Sequence, residues 1–152
     1  MNILLVEDDE HKASLIMEFF STNMPHFIVN WKKSYQSGMK AMLTLEIDFI
    51  LLDMSMPTFD RENSFGRLNT FRHYAGRDIL EEMYRRDLKI PTIVVTQFGV
   101  FGEGTDAIDV NQLHVMLKED FPETYLGLVY FNASFSNWKT ELLSYFAEKA
   151  GK

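Results

Sequence analysis

Three acidic side chains directly follow two short apolar runs of the sequence, and they are the strongest candidates for chemistry. Glu7 and Asp8 follow the run 2–6, and Asp53 follows the run 49–52. Carboxylates that converge repel one another strongly unless a cation neutralises them. The chain has no cysteine and its four histidines show no ligand spacing, so oxygen ligands favour Mg²⁺ or Ca²⁺ over zinc or copper. The sequence predicts a divalent-cation site wherever these two runs end side by side.

A hydroxyl group follows a third apolar run. Thr96 comes directly after the run 91–95, where its side chain can hydrogen-bond a group attached to Asp53. A threonine at a strand end often only hydrogen-bonds the backbone, so Thr96 is a functional candidate only because of its position beside the carboxylates.

The apolar runs that precede these residues alternate with segments of helical periodicity. Such alternation of strands and helices predicts right-handed crossovers and a parallel sheet covered on both faces. Ligands then lie beyond the carboxyl ends of the strands, where the strand order reverses. Strands are predicted at 2–6, 27–31, 49–52, 91–95 and 125–131, and helices at 10–21, 34–45, 77–86, 110–118 (capped by Asp109) and 136–150.

The composition is that of one ordinary globular domain. The 152 residues are 46% hydrophobic and 24% charged, which suits a single core. We therefore expect one domain over 1–152. The lack of cysteine excludes disulfides and thiolate chemistry.

The net charge and the N-terminus narrow the choice of partners. A formal charge of −7 argues against direct binding to nucleic acid, whose phosphates attract basic proteins. The N-terminus lacks the basic start of a signal peptide, and no apolar stretch approaches the ~20 residues that span a bilayer. We expect a cytoplasmic protein that binds neither nucleic acid nor membrane and acts through protein contacts.

Three motifs in these positions resemble those of response-regulator receiver domains. The pair Glu7 and Asp8 resembles the acid pair of that family. Asp53, with Met and Pro at the third and fourth positions after it, resembles the phosphoacceptor motif, and Thr96 resembles the switch Ser/Thr. The resemblance is close over 1–57 and 76–96 and loose over 97–152.

The resemblance implies a doubly wound, flavodoxin-like sheet of strand order 2-1-3-4-5 that takes a phosphoryl group from a histidine kinase or phosphotransfer protein. Asp53 would be the phosphoacceptor and, with Asp8, a direct Mg²⁺ ligand. Glu7 would bind the ion through water, and the backbone carbonyl of Ser55 would complete the protein ligands. Negative charge added at Asp53 would draw Thr96 inward and rearrange the last two strand–helix units, and a downstream protein effector would respond.

The end of the fifth strand departs from the family pattern. The family carries a Lys-Pro pair there, and its lysine contacts the phosphoryl group. When Phe135 is aligned with the aromatic residue after that pair, Ala133 occupies the lysine position, Ser134 the proline position and Tyr130 the aromatic switch position. The nearest following lysine is Lys139, inside the last predicted helix. We therefore expect weakened stabilisation of the phosphoryl group.

An insert, 58–75, follows the phosphoacceptor motif, because the glycine expected about four residues after Pro57 is matched by Gly76. Its mixture of aromatic and arginine side chains is typical of an interface hot spot. A lid over the pocket and a solvated loop are the alternatives. The side chains in question are Phe59, Arg61, Phe65, Arg67, Phe71, Arg72, His73 and Tyr74.

A second unusual segment, 97–108, is predicted as a long flexible loop that replaces part of the fourth helix. Its glycines lack the Gly-Lys-Ser/Thr ending of a phosphate-binding loop. Gln97 stands where the family usually has a small residue after the switch Thr. Its amide would either shield the pocket from water or obstruct the phosphodonor.

Two functional hypotheses remain from the sequence. In the first, the chain is a phosphoacceptor receiver on Asp53 with Mg²⁺, a stoichiometric switch and not a turnover enzyme. In the second, it is a pseudo-receiver that acts as a phosphorylation-independent interaction module. The acidic residues and Thr96 favour the first, whereas the missing lysine and Gln97 favour the second. A Mg²⁺-dependent phosphatase is disfavoured, because no second general acid–base group is in place.

Overall fold

The computed structural model describes residues 1–61, 68–97, 99–101 and 104–150. In chain order its strands are β1 (Asn2–Val6), β2 (Ile28–Lys32), β3 (Phe49–Leu52), β4 (Met56–Pro57), β5 (Phe71–Arg72), β6 (Thr92–Thr96), β7 (Val100–Phe101), β8 (Ile108–Asp109) and β9 (Tyr125–Tyr130). The five long strands form one parallel sheet in the order β2-β1-β3-β6-β9. Numbered among themselves, these strands have the order 2-1-3-4-5, so the predicted doubly wound sheet is confirmed.

Helices connect the strands of the sheet. They are α1 (Glu10–Asn23), α2 (Tyr35–Thr44), α3 (Ala75–Arg85), α4 (Val110–Asp120) and α5 (Asn137–Ala150). Side-chain oxygens of Asp9, Ser34 and Asp109 accept hydrogen bonds from the first turns of α1, α2 and α4, which satisfies amide groups that have no partner within the helix. Asp109 is thus confirmed as the cap of α4.

The sheet has a hydrophobic core on each face. One core joins the sheet to apolar side chains of α2, α3 and α4, and the other joins it to α1 and α5. The four residues of β3 are buried throughout, as a strand covered on both faces requires. Leu45, the last residue of the second predicted helix, is exposed, because α2 ends at Thr44 and Leu45 is already extended.

Two short hairpins lie at the carboxyl edge of the sheet. In the insert, β4 pairs antiparallel with β5. The amide of Gln36 at the start of α2 donates to the Thr58 carbonyl (2.8 Å), and Ser37 Oγ donates to Asp60 Oδ1 (2.8 Å). The start of the insert is therefore fastened to α2. Phe65 and Arg67, two of the predicted interface residues, lie outside the described residues.

The segment 97–108 differs from its prediction as an unstructured loop. Its strands β7 and β8 pair antiparallel, a 3-10 turn spans Gly104–Asp106, and the amide of Val110 donates to the Gly99 carbonyl (3.0 Å). The prediction of a long irregular loop was wrong, because two-residue strands are too short to leave a periodic pattern in the sequence.

Within the described part of the chain, the helices are too short or too polar for any of them to cross a membrane.

Candidate functional site

The sheet brings the predicted acidic residues together at its carboxyl edge. β1 and β3 are neighbours with Val6 opposite Leu52, and the amide of Asp53 donates to the Val6 carbonyl (3.0 Å). The next residues of both strands therefore emerge side by side. Glu7, Asp8 and Asp53 each place a carboxylate oxygen within 4.8 Å of the others. The predicted convergence of these three side chains is confirmed.

A lysine that the sequence analysis did not single out lies among these carboxylates. Lys12, in the first turn of α1, is only 1% exposed. Its Nζ lies 2.8 Å from Glu7 Oε2 and 3.4 Å from Asp53 Oδ2, and it donates to the Val95 carbonyl at 2.7 Å. This buried cation comes from α1 and not from the end of the fifth strand, where Ala133 occupies the lysine position.

Burial shifts the titration of the acidic residues. The pKa of Glu7 is raised to about 9, mainly because burial removes its carboxylate from water; the Lys12 ammonium opposes this rise, and the charge of Asp53 adds to it. Burial, and then the charge of Asp53, also raise the pKa of Asp8. Desolvation and mutual repulsion thus disfavour full ionisation of the cluster, and added positive charge would relieve both effects.

The charge balance of the cluster fits one divalent cation. When the three carboxylates are ionised, they and the Lys12 ammonium leave two negative charges, which one Mg²⁺ would neutralise. The donors are hard carboxylate oxygens, as Mg²⁺ prefers. Asp8 is more open to solvent than the nearly buried Glu7 and Asp53, so a partly hydrated ion has access from its side.

The loop after Asp53 is held rigidly by short hydrogen bonds. The amide of Met54 donates to Asp53 Oδ1 (2.7 Å), and the amide of Gly76 donates to the Met54 carbonyl (2.9 Å). Ser55 Oγ donates to the His73 carbonyl (2.9 Å), so the far end of the insert braces this loop. The role of the Ser55 carbonyl as a metal ligand stays a prediction.

The two predicted switch residues lie opposite each other on neighbouring strands. Thr96 and Tyr130 are partners in the β6–β9 register, and the amide of Phe131 donates to the Thr96 carbonyl (2.7 Å). Thr96 is buried, whereas Tyr130 is 48% exposed. The buried position of Thr96 suits a residue that responds to the pocket, and the exposed position of Tyr130 suits a residue that changes the surface. Both roles stay predictions.

A polar cleft of about 340 Å³ opens beside Asp8. Lys33 and Arg61 lie in its wall together with acidic side chains, so positive charge flanks the acidic cluster. After β6, Gln97 Nε2 donates to Asp9 Oδ2 at 3.5 Å, so the amide that follows Thr96 contacts the N-cap of α1. The cleft is lined by Asp8, Glu10, Lys33, Pro57, Asp60 and Arg61.

Comparisons with known proteins agree with this architecture. No family model matches the chain. It is 30% identical over 149 residues to the Detocs response regulatory protein DtcB of Enterobacter cloacae (strain JD6301), across 97% of this chain and 99% of that protein. The chain belongs to the response-regulator receiver family.

Solved receiver structures share the fold. The receiver domain of the Francisella response regulator 1452 matches with a TM-score of 0.64 at 17% identity, over 99% of this chain and 96% of that one. The response regulator TrrA of Thermotoga maritima, in complex with Mg²⁺ and BeF, matches with a TM-score of 0.58 at 14% identity, over 94% and 96%. At such identities the likeness shows the fold alone, and the relation to DtcB supports a part in two-component signalling.

Lys12 of this receiver domain did leave a trace in the sequence. It lies four residues before Ile16 and seven and eight before Phe19 and Phe20, so it falls on the buried face of α1. A lysine on an otherwise apolar helix face needs a buried partner. Because the family pattern has its lysine at the end of the fifth strand, Lys12 was not predicted as a pocket residue.

Proposed function

We propose that this receiver domain accepts a phosphoryl group on Asp53 from the phosphohistidine of a histidine kinase or phosphotransfer protein. The observation that carries the proposal is the set of charges around Asp53. Oxygens of Glu7 and Asp8 lie within 4.8 Å of its carboxylate, and the Lys12 ammonium lies 3.4 Å from Oδ2. These groups suit an ionised nucleophile beside one divalent cation.

The same residues would hold Mg²⁺. Asp8 and Asp53 would bind it directly, Glu7 would bind it through water, and the Ser55 carbonyl would supply the remaining protein ligand. When bound, Mg²⁺ offsets negative charge on the transferring phosphoryl group.

The protein contributes mainly position and charge. An oxygen of Asp53 attacks phosphorus, a P–O bond forms, and the P–N bond of phosphohistidine breaks. The electron pair of that bond stays on the imidazole nitrogen, and the product is an acyl phosphate. The donor enters by the cleft beside Asp8, where Lys33 and Arg61 attract its charge. Each signal uses the site once, so the domain is a switch and not a turnover enzyme.

The response starts at the edge of the sheet next to the acceptor. β6 pairs with β3, so Thr96 lies on the strand beside Asp53, and its hydroxyl moves toward the new phosphoryl group. The change passes to Tyr130 through the β6–β9 pairing and alters the surface that a downstream protein effector contacts, in the cytoplasm.

The missing lysine was one of three arguments for the pseudo-receiver alternative, beside Gln97 and the segment 97–108. Because Lys12 supplies a buried ammonium to the pocket, that argument no longer separates the two hypotheses. The retained acidic cluster, in which burial makes Glu7 and Asp8 costly to ionise without a cation, then favours the phosphoacceptor.

The test is the intact mass of the protein after incubation with Mg²⁺ and acetyl phosphate. Wild-type protein should gain about 80 Da, the mass of one phosphoryl group, and Asp53→Asn should gain nothing. Asp48→Asn is the matched control, because Asp48 precedes the same strand at its opposite end and is exposed. An equal adduct on Asp53→Asn would refute the acceptor assignment.

Fast hydrolysis of the acyl phosphate would hide an adduct, so a negative mass result needs one further titration. Beryllofluoride with Mg²⁺ mimics the phosphorylated carboxylate without hydrolysing. Its binding should change the fluorescence of Trp31, because the indole Nε1 donates to the Glu7 carbonyl at 2.8 Å. If the fluorescence of Trp31 stays unchanged, the proposed function is wrong.

A further inference from the structure

We infer that Lys12 is the residue that contacts the phosphoryl group, so that α1 supplies the cation that the end of β9 lacks. The inference rests on the proposed function, because it concerns the same acceptor. The lysine expected from the family pattern is replaced by Ala133, which is exposed. Lys12 enters the pocket from a different element of the fold.

The Lys12 ammonium is already positioned over the acceptor. Its three N–H groups face three oxygens: Glu7 Oε2 at 2.8 Å, the Val95 carbonyl at 2.7 Å and Asp53 Oδ2 at 3.4 Å. The distance to Asp53 is the longest of the three. A phosphoryl oxygen attached to Asp53 can therefore replace that weak contact with a stronger, charge-assisted one.

The neighbouring elements fix the direction of the lysine. Asp9 caps α1 by accepting from the Lys12 amide (3.1 Å), which holds the first turn beside the sheet edge. The Phe131 ring lies 5.8 Å from Nζ and packs on Trp138, with ring centroids 4.9 Å apart. At this side of the pocket, the end of β9 provides an aromatic wall, and α1 provides the charge.

The charge of the pocket after transfer requires such a cation. Asp53 gives up its own negative charge when it becomes an acyl phosphate, but the phosphoryl group brings about two charges. Glu7 and Asp8 remain beside it. One divalent ion balances only half of these four charges, and the Lys12 ammonium reduces the remainder.

The contact with Val95 links this chemistry to the switch strand. Val95 directly precedes Thr96 in β6, and its carbonyl oxygen is the nearest of the three oxygens that Lys12 Nζ contacts. When Nζ moves toward a phosphoryl oxygen, this hydrogen bond lengthens, and the end of β6 is released from α1. Thr96 thus receives the signal from two sides, the phosphoryl group and Lys12.

The experiment compares adduct formation by acetyl phosphate in four proteins: wild type, Lys12→Met, Lys12→Arg and Lys139→Met. Lys12→Met keeps the apolar stem without the charge, and we expect it to form the adduct at least about 100-fold more slowly, as for the loss of one preorganised donor. Lys12→Arg should recover part of the rate. Lys139→Met should match wild type, because Lys139 is exposed on α5.

Binding of Mg²⁺ separates this role from a purely structural one. Lys12→Met removes a positive charge from beside the carboxylates, so it should bind Mg²⁺ at least as tightly as wild type, measured by fluorescence titration. If Mg²⁺ affinity and adduct formation fall together and Lys12→Arg recovers neither, Lys12 only holds the fold and the inference is wrong.

The other outcomes are distinguishable. An adduct on Lys12→Met at the wild-type rate overturns the inference and leaves the proposed function intact, whereas failure of wild type to form an adduct or bind beryllofluoride overturns both. If Lys12→Met does not fold, wild-type protein labelled with ¹⁵N-lysine decides. The Lys12 ammonium resonance should shift on addition of Mg²⁺ and beryllofluoride beyond its shift with Mg²⁺ alone, and an absent further shift contradicts the contact.

Discussion

Gly76 holds the loop that carries the acceptor, and adding a single methyl group there tests how rigid that loop must be. Gly76 lies in the first turn of α3. A Cβ at this position would lie 2.7 Å from the Asp53 carbonyl oxygen and 3.1 Å from Met54 Cα. Both are backbone atoms and cannot rotate away. In Gly76→Ala, either α3 or the loop must therefore move by several tenths of an ångström.

The size of the effect follows from this geometry. Extra methyl groups in a packed site cost about 1 to 3 kcal/mol, and in a protein of about 150 residues each kcal/mol lowers Tm by roughly 2 to 4 °C. We expect Tm to fall by about 2 to 12 °C. Because the strain falls on Asp53 itself, formation of the phosphoryl adduct should slow by about 10- to 100-fold, the cost of misplacing a reacting group.

Thermal unfolding and the rate of adduct formation would be measured on the same preparations. Gly99→Ala is the matched control, because a Cβ at Gly99 meets no atom of the described residues within 4 Å. Its Tm and adduct rate should equal those of wild type. If Gly76→Ala matches Gly99→Ala in both measurements, the loop yields at little cost and the rigid-support argument is refuted.

Three further predictions concern the core, a helix cap and the metal. Phe146→Ala should lower the free energy of unfolding by about 3 to 5 kcal/mol, because this buried ring packs on other aromatic rings with centroid distances as short as 4.6 Å; urea denaturation measures the loss. Ser34→Ala should lower it by about 0.5 to 2 kcal/mol, since it removes the hydroxyl oxygen that accepts from the Ser37 amide in the α2 capping box. Millimolar Mg²⁺ should raise the Tm of wild type but not of Asp8→Ala.

Each of these three predictions would be contradicted by a specific result. Phe135 is exposed, so Phe135→Ala should change the unfolding free energy by less than about 0.5 kcal/mol, and an equal loss in the two Phe variants would contradict the core assignment. A Ser34→Ala protein as stable as wild type would show that α2 needs no cap. An equal Tm increase with Mg²⁺ in Asp8→Ala would place the ion elsewhere.

The local pattern of the sequence was sufficient for the fold. The strands and helices of the central layers differ from their predicted bounds by at most two residues, because apolar runs and helical periodicity are local properties. The alternation of strands and helices predicted a parallel sheet covered on both faces, and the resemblance to receiver domains implied its doubly wound topology. Among the described residues, the short strands of the two hairpins were not predicted, since two paired residues leave no periodic pattern.

The acidic cluster was equally accessible from sequence. Glu7, Asp8 and Asp53 directly follow strands, and parallel strands place their carboxyl ends at one edge. The convergence of these side chains was therefore a consequence of the topology. Their predicted neighbour Thr96 lies on the adjacent strand for the same reason.

The sequence by itself determined the strands and helices of the sheet and the carboxylates at its edge, because each depends on residues adjacent in the chain or on the crossover rule, and the resemblance to receiver domains implied the order of the strands. Only the tertiary structure decided which cation accompanies them. Lys12 reaches Val95, which is 83 residues away in sequence, because α1 packs back across the sheet. The family pattern has its lysine at the end of the fifth strand, so comparison with that pattern does not identify Lys12. A buried charge can be supplied by any element that lies within reach of the carboxylates.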